Sequence, residues 1–324
     1  MLAVREGRGS RVCAVEAAPA ANRRLPRVGG MPLPLRAVRH SGRVKLAHRV
    51  QGRGPALLLV AGTGFPGATW PDDVVTALAR DMTVVTFDHR GTGATPPTPG
   101  PYATRTFASD AVALLRELGL VPAHVLGHSM GGRVAQWMAL DAPDVVASLV
   151  LAASGPGRFR PDQTIPTGVP PRTRERLAEL GYEAYIAAHI RETFFTPEFA
   201  EAQPERVGWL VSAFWEHRPA LGDYLKHVAA RQRHQTAHLL NRIRMPTLVL
   251  VGDQDTHQGG TGSHWEQSQY LAARMPAAQL RVIAGASHGL FWEKPEETVG
   301  AIRDWLGGPA LAATLPVPST AARS

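Results

Sequence analysis

At 324 residues, 44% of them apolar and 19% charged, the chain is long enough to bury a large core and has an ordinary globular composition. No apolar run approaches the roughly 18–20 residues that a membrane span needs. The net charge of +8 would suit a nucleic-acid binder, but half of it sits in residues 1–30, where Arg5, Arg8, Arg11, Arg23, Arg24 and Arg27 stand against Glu6 and Glu16. The rest is scattered, with no basic helix and no aromatic-basic stripe, which argues against nucleic acid as a partner.

Residues 1–30 lack hydrophobic periodicity and the continuous apolar core of a secretory signal, and read as a disordered basic tail ahead of Met31. Cys13, the single cysteine, lies in this tail, so no intrachain disulfide can form. That fits a reducing compartment, and the cytoplasm is the expected location. Segments 34–39 and 43–50 read as an opening hairpin. The wholly apolar run 56–60 (ALLLV) predicts a strand buried on both faces. A short helix over 71–80 and a strand over 82–87 follow. Phe107, Ala111, Leu114, Leu115 and Leu118 fall on one stripe of a helix over 104–118, which Gly119 should stop. A brief strand at 124–126, a helix at 130–141 and a strand at 147–152 complete the first part.

The alternation then pauses. Residues 156–242 carry no strong strand signal and read as helices over 172–180, 182–193, 204–216 and 219–240, rich in Tyr, Phe and Trp. A strand at 246–251, a helix near 264–274, a strand at 279–284 and a helix at 296–306 close the pattern, and 308–324 reads as a second disordered tail. Alternating strands and helices mean a mostly parallel sheet with helices on both faces. The eight strand segments make it eight-stranded. The expected organisation is therefore a core over 31–155 and 243–307, interrupted by a helical lid over 156–242.

Gly127-His128-Ser129-Met130-Gly131 matches G-x-S-x-G at the end of an apolar strand and the start of a helix. A serine at such a sharp turn projects its hydroxyl from the carboxyl edge of the sheet. A hydroxyl is a weak nucleophile without a base to take its proton, and imidazole, with an unperturbed pKa of about 6.5, suits that task. Of the 13 histidines, His288 follows the last expected strand, on the same edge as Ser129. The carboxylate that orients the base should come from the turn after 246–251, where Asp253 and Asp255 compete. Two backbone donors are needed for a developing oxyanion: Met130, which follows the serine, and Thr63 in the turn Ala61–Phe65. That turn lacks the Gly-Lys-Ser/Thr ending of a phosphate loop.

Four stretches, 57–64 (LLLVAGTG), 87–93 (FDHRGTG), 125–132 (VLGHSMGG) and the pair 246–255 (PTLVLVGDQD) with 284–295 (AGASHGLFWEKP), make residues 34–306 resemble the α/β-hydrolase superfamily. The resemblance implies a Ser129–Asp255–His288 triad, since the acid is usually the last residue of G-x-x-D, here Asp255 rather than Asp253. It is closest to small-substrate esterases and lactonases, including enol-lactone hydrolases and methylesterases, and similar to cofactor-free haloperoxidases. The oxyanion turn departs from the common His-Gly by carrying Ala61-Gly62, which keeps the backbone donor.

The expected activity is hydrolysis of a carboxylic ester or lactone of a small, largely apolar substrate through an acyl-enzyme. The same residues could serve carbon–carbon bond hydrolysis, perhydrolysis or a non-hydrolytic biosynthetic step, and a non-catalytic small-ligand receptor is the remaining alternative. No cofactor and no metal is expected; His257 and His264 suggest a metal only weakly, because no ligand cluster is visible around them. The substrate site should lie under the lid, where Arg158, Arg160 and His234 are candidates to meet a substrate carboxylate, although a solvated surface suits each of them better. No membrane partner is expected, and homo-oligomerisation stays open.

Overall fold

The computed structural model describes residues 36–37, 44–164, 167–257 and 261–308. The expected tail 1–30 with Cys13, and the expected tail beyond residue 308, lie outside the described residues, as does most of the segment 34–39.

In chain order the elements are β1 (Arg36–Ala37), β2 (Ala47–Gln51), β3 (Ala56–Val60), α1 (Asp72–Leu78), β4 (Thr83–Phe87), α2 (Thr104–Leu118), β5 (Ala123–His128), α3 (Met130–Asp141) and β6 (Val146–Ala152). Then come α4 (Pro171–Phe194), α5 (Pro197–Ala202), α6 (Pro204–Glu216), α7 (Leu221–Gln232), β7 (Thr247–Gly252), α8 (His264–Arg274), β8 (Ala278–Ile283), α9 (Leu290–Glu293) and α10 (Pro295–Leu306). The strands form one sheet in the order β1-β2-β4-β3-β5-β6-β7-β8. β1 and β2 pair antiparallel, as do β2 and β4; every later pairing is parallel. All parallel strands therefore end at one rim.

The sheet is covered on both faces because its central strands are apolar on both. In β3, Leu57 and Leu59 join the core under α1 and α10, while Leu58 and Val60 join the core under α2 and α3. The α2 stripe of Phe107, Ala111, Leu114 and Leu115 is buried, and Gly119 ends the helix at φ 67°, a left-handed conformation that costs glycine little. Ser263 and Glu266 form a reciprocal capping box that fixes the start of α8.

Between β6 and β7 the chain leaves the sheet for α4–α7. α4 spans both helices expected over 172–193, and its break falls at Gly181, whose φ is 76°. The helix expected over 219–240 is corrected: α7 stops at Gln232, and a 3-10 turn occupies Ala237–Arg242. Tertiary bonds win there. The Thr236 N–H donates to Pro156 O, and the His234 ring lies 2.9 Å from both Thr104 Oγ1 and Thr236 Oγ1. The strand expected over 124–126 is longer, running through His128 to the turn that carries Ser129. Among the described residues no helix is long and apolar enough to cross a membrane.

Several histidines are buried in this frame. Burial pushes His89 and His128 down from the ordinary 6.5 to about 3, His124 and His227 to about 4, and His234 well below 6.5. Each is neutral when folded but takes up a proton on unfolding at any pH between its folded value and 6.5. Their contribution to stability is therefore complete above pH 6.5 and is lost as pH falls toward 3–4, at up to about 1.4 kcal/mol per pH unit for each. Asp88 and Glu293, which burial raises, work in the opposite sense. The urea midpoint is expected to be flat from pH 7 to 8 and to fall steeply from pH 6.5 to 4. A midpoint unchanged at pH 4.5 would contradict this.

Candidate active site

Ser129 occupies the sharp turn between β5 and α3 with φ 55° and ψ −117°. A non-glycine residue there carries on the order of 1–3 kcal/mol of strain, so the surroundings must hold it. They do so through backbone bonds: Ser129 N donates to Ala152 O at 2.9 Å, and Ser154 Oγ donates to Ser129 O at 2.8 Å. Glycines make room for the turn. A Cβ on Gly127 would stand 2.3 Å from Gly131 O, and one on Gly131 only 1.9 Å from Val60 O.

The turn after β3 lies against the serine. A Cβ on Gly62 would stand 3.4 Å from Ser129 Cβ, and Phe65 N closes the turn on Gly62 O at 3.2 Å. Thr63 is buried, and its hydroxyl has no hydrogen-bond partner. Among the described residues neither the Thr63 nor the Met130 N–H is engaged, so both expected oxyanion donors are free.

At the end of β7, Asp255 is 1% exposed, and its Oδ2 accepts from His288 Nδ1 at 2.8 Å. Asp253 is used elsewhere: its Oδ1 accepts from Gly285 N at 2.8 Å, tying the turn after β7 to the turn after β8. The loop after β8 that carries His288 is also tied to the serine turn. The His128 Nε2–H donates to the carbonyl oxygen of His288 at 2.9 Å, and the two rings lie 4.9 Å apart. The structure thus brings Ser129, Asp255, His288, Thr63 and Met130 to one rim of the sheet. Among the described residues the Ser129 hydroxyl and the His288 ring make no hydrogen bond to each other.

Two further residues enter: Glu293, which the sequence did not single out, and His264, which it named only as a weak metal candidate. Glu293 on α9 accepts from both Ser287 N and Thr196 N, clamping the His288 loop to the segment between α4 and α5. It lies in the stretch that carries the family resemblance, so a signal for it was present. His264, the first residue of α8, has its Nδ1 3.4 Å from Asp255 Oδ1 and its ring 4.3 Å from the His288 ring. The expectation that no ligand cluster surrounds His264 is corrected: Trp265 N donates to Asp255 O at 3.1 Å, which sets the start of α8 beside the acid. His257 is exposed and lies outside this group. Burial alone would raise the Asp255 carboxyl, but His288 and His264 outweigh it and hold Asp255 well below the ordinary carboxylate range.

The inserted helices roof the rim with aromatic side chains. Phe194 lies 5.2 Å from the His288 ring and stacks at 4.9 Å on Phe65, which also meets Phe214 at 5.1 Å. Gly289 N donates to Phe194 O at 2.7 Å. The candidate polar residues lie away from this roof or are already engaged. Arg160 pairs with Glu266 at 3.1 Å, Arg158 Nε donates to Arg160 O, and His234 spends both ring nitrogens on threonines.

A family model described as "alpha/beta hydrolase fold" matches residues 55–295. The chain is 32% identical over 246 residues to "Putative carbamate hydrolase RutD" of Pseudomonas savastanoi pv. phaseolicola, across 74% of this chain and 90% of that protein. It is similar to a solved hydrolase from Pseudomonas aeruginosa PA01, at 29% identity and a TM-score of 0.72, covering 85% of this chain and 98% of that one. It is also similar to a thermophilic esterase from Thermogutta terrifontis, at 27% identity and a TM-score of 0.70, covering 84% and 97%. With well over half of its length matched by the family model and hydrolases among its relatives, the chain belongs to the α/β-hydrolase family and is a hydrolase of that fold.

Proposed function

We propose that the protein is a serine hydrolase acting on a carboxylic ester or lactone of a small, largely apolar substrate, through an acyl-enzyme. The observation that carries this reading is the 2.8 Å bond from His288 Nδ1 to a buried Asp255, at the rim where Ser129 is held in its strained turn. A neutral imidazole that donates its Nδ1 proton to a carboxylate must present an unprotonated Nε2. That nitrogen takes the Ser129 proton as Oγ attacks the carbonyl carbon. The N–H groups of Met130 and Thr63 stabilise the resulting oxyanion. Nε2 then gives the proton to the departing alcohol, and water repeats the sequence to release the acid. Asp255 steadies the imidazolium at both stages.

The aromatic roof of Phe194, Phe65 and Phe214 supports an apolar acyl or alcohol part, with the inserted helices acting as a lid. The curated relative named for carbamates suggests a neighbouring chemistry, since a carbamate offers the same carbonyl carbon to the nucleophile.

A panel of p-nitrophenyl esters, lactones, carbamates and β-diketones, offered in separate assays, tests the reading. Short- and medium-chain esters or lactones are expected to give the highest kcat/KM. A clear preference for β-diketones would move the site to carbon–carbon cleavage. No turnover of any class would favour a small-ligand receptor.

A further inference from the structure

Asp255 faces an imidazole with each of its carboxylate oxygens. His288 Nδ1 is 2.8 Å from Oδ2, and His264 Nδ1 is 3.4 Å from Oδ1. One donor atom from each of the three residues lies within 4.8 Å of the others, and the two rings are tilted by 34° with centroids 4.3 Å apart. We propose that Asp255, His264 and His288 form a binding site for one divalent transition-metal ion of the zinc type, and that the bound ion switches the hydrolase off. The inhibitory half of this proposal rests on the serine mechanism above; the binding half does not.

Two imidazole nitrogens and a carboxylate oxygen are a donor set that zinc and its neighbours take readily. Ligand atoms around a tetrahedral zinc at about 2.0–2.1 Å stand about 3.3–3.4 Å apart. The separation of His264 Nδ1 from Asp255 Oδ1 already has that value; His288 Nδ1 stands 2.8 Å from the other oxygen, Oδ2, so the carboxylate must turn for one of its oxygens to share an ion with both rings. The fourth position is left for water. Of the three side chains, His264 is 23% exposed, whereas Asp255 and His288 are 1% and 4% exposed, so the ion has an approach from the α8 side.

Inhibition follows from the tautomer and needs no blockage of the substrate pocket. In the free site the single proton of neutral His288 sits on Nδ1 and points at Asp255. An ion bound to Nδ1 displaces that proton, and the neutral ring then carries it on Nε2. No proton is gained or lost overall, but Nε2 has become a donor. It can no longer accept the proton of Ser129, and Asp255 is committed to the ion instead of the base.

The test is calorimetric titration of zinc chloride into the wild type and the Ser129→Ala, His264→Phe and His264→Asn variants, at neutral pH in a non-chelating buffer. Turnover of a p-nitrophenyl ester by the wild type is followed in parallel. The expected result is one zinc per chain, bound at micromolar concentration by the wild type and Ser129→Ala alike. Binding should be at least tenfold weaker in both His264 variants. Wild-type turnover should fall in step with occupancy and return with EDTA. Circular dichroism checks that the variants fold, and His264→Asn, which retains a side-chain amide donor, decides the matter if the phenylalanine variant does not. Failure of the wild type to bind one equivalent, or equally tight binding by His264→Asn, overturns the site. Histidine-dependent binding in a protein that turns over no ester removes the serine mechanism and leaves the site; ester turnover indifferent to bound zinc removes the inhibitory role.

Discussion

Replacing Ser129 by alanine is expected to lower kcat at least about a thousandfold, with KM changed far less. The acyl-enzyme route loses its covalent step, and what survives is the stabilisation offered by the oxyanion donors and by binding alone. Fold loss is not the cause anticipated, because the bonds that hold the turn, Ser129 N to Ala152 O and Ser154 Oγ to Ser129 O, involve only the backbone of residue 129. His288→Ala should fall to a similar level, and the double variant should be little worse than either single one, because serine and base act as a unit. Steady-state kinetics on the best ester of the panel measures all three. Full activity in Ser129→Ala, or losses that multiply in the double variant, would contradict a shared nucleophile and base.

The second large effect is structural. Gly131→Ala is expected to destabilise the protein beyond the roughly 1–3 kcal/mol usual for overpacking. The added Cβ would stand 1.9 Å from Val60 O and 2.9 Å from Ala61 O, and both are backbone atoms. β3 cannot move aside, since it is paired with β4 on one side and β5 on the other. If the helix moves instead, it carries Met130 and its free N–H away from the reacting carbonyl. Differential scanning calorimetry should show a fall in Tm of many degrees, or no folded protein. Gly300→Ala is the control: Gly300, like Gly131, lies in a helix, but nothing lies within 4 Å of the added carbon. A Gly131→Ala protein melting within a few degrees of the wild type would mean that strand and helix do not approach as closely as described.

Much of this frame was legible in the residues themselves. The bounds of α2, α3, α6 and β3 follow from periodicity and from plain apolar runs, because burial on one or both faces of the sheet selects those patterns. The break in α4 was legible as well, since Gly181 adopts a backbone conformation that other residues avoid. The end of α7 was not. Helical periodicity continues past Gln232, but Thr236 and His234 form better bonds to Pro156, Thr104 and Gln136, which are remote in sequence. Helix α5 carried its signals in the open, with Thr196 as cap and Pro197 in the first turn, yet it is short enough to be masked by its longer neighbours. In the site, strand order put Ser129, His288 and both Asp253 and Asp255 on one rim, and the family resemblance chose Asp255. His264 was noticed only as a weak metal candidate, and its place beside Asp255 was not legible, because a glycine-rich sequence fixes no direction. Only the start of α8, fixed by the Ser263–Glu266 capping box and by the bond from Trp265 N to Asp255 O, brings the ring to Asp255.

The measurement that bears most directly on the serine mechanism is labelling by a fluorophosphonate, read by intact mass and peptide mapping. One adduct per chain is predicted, on the peptide that contains Ser129, absent in Ser129→Ala and formed far more slowly in His288→Ala. An unlabelled wild type, or an adduct that persists at the same rate in Ser129→Ala, would contradict the assignment of Ser129 as the activated nucleophile.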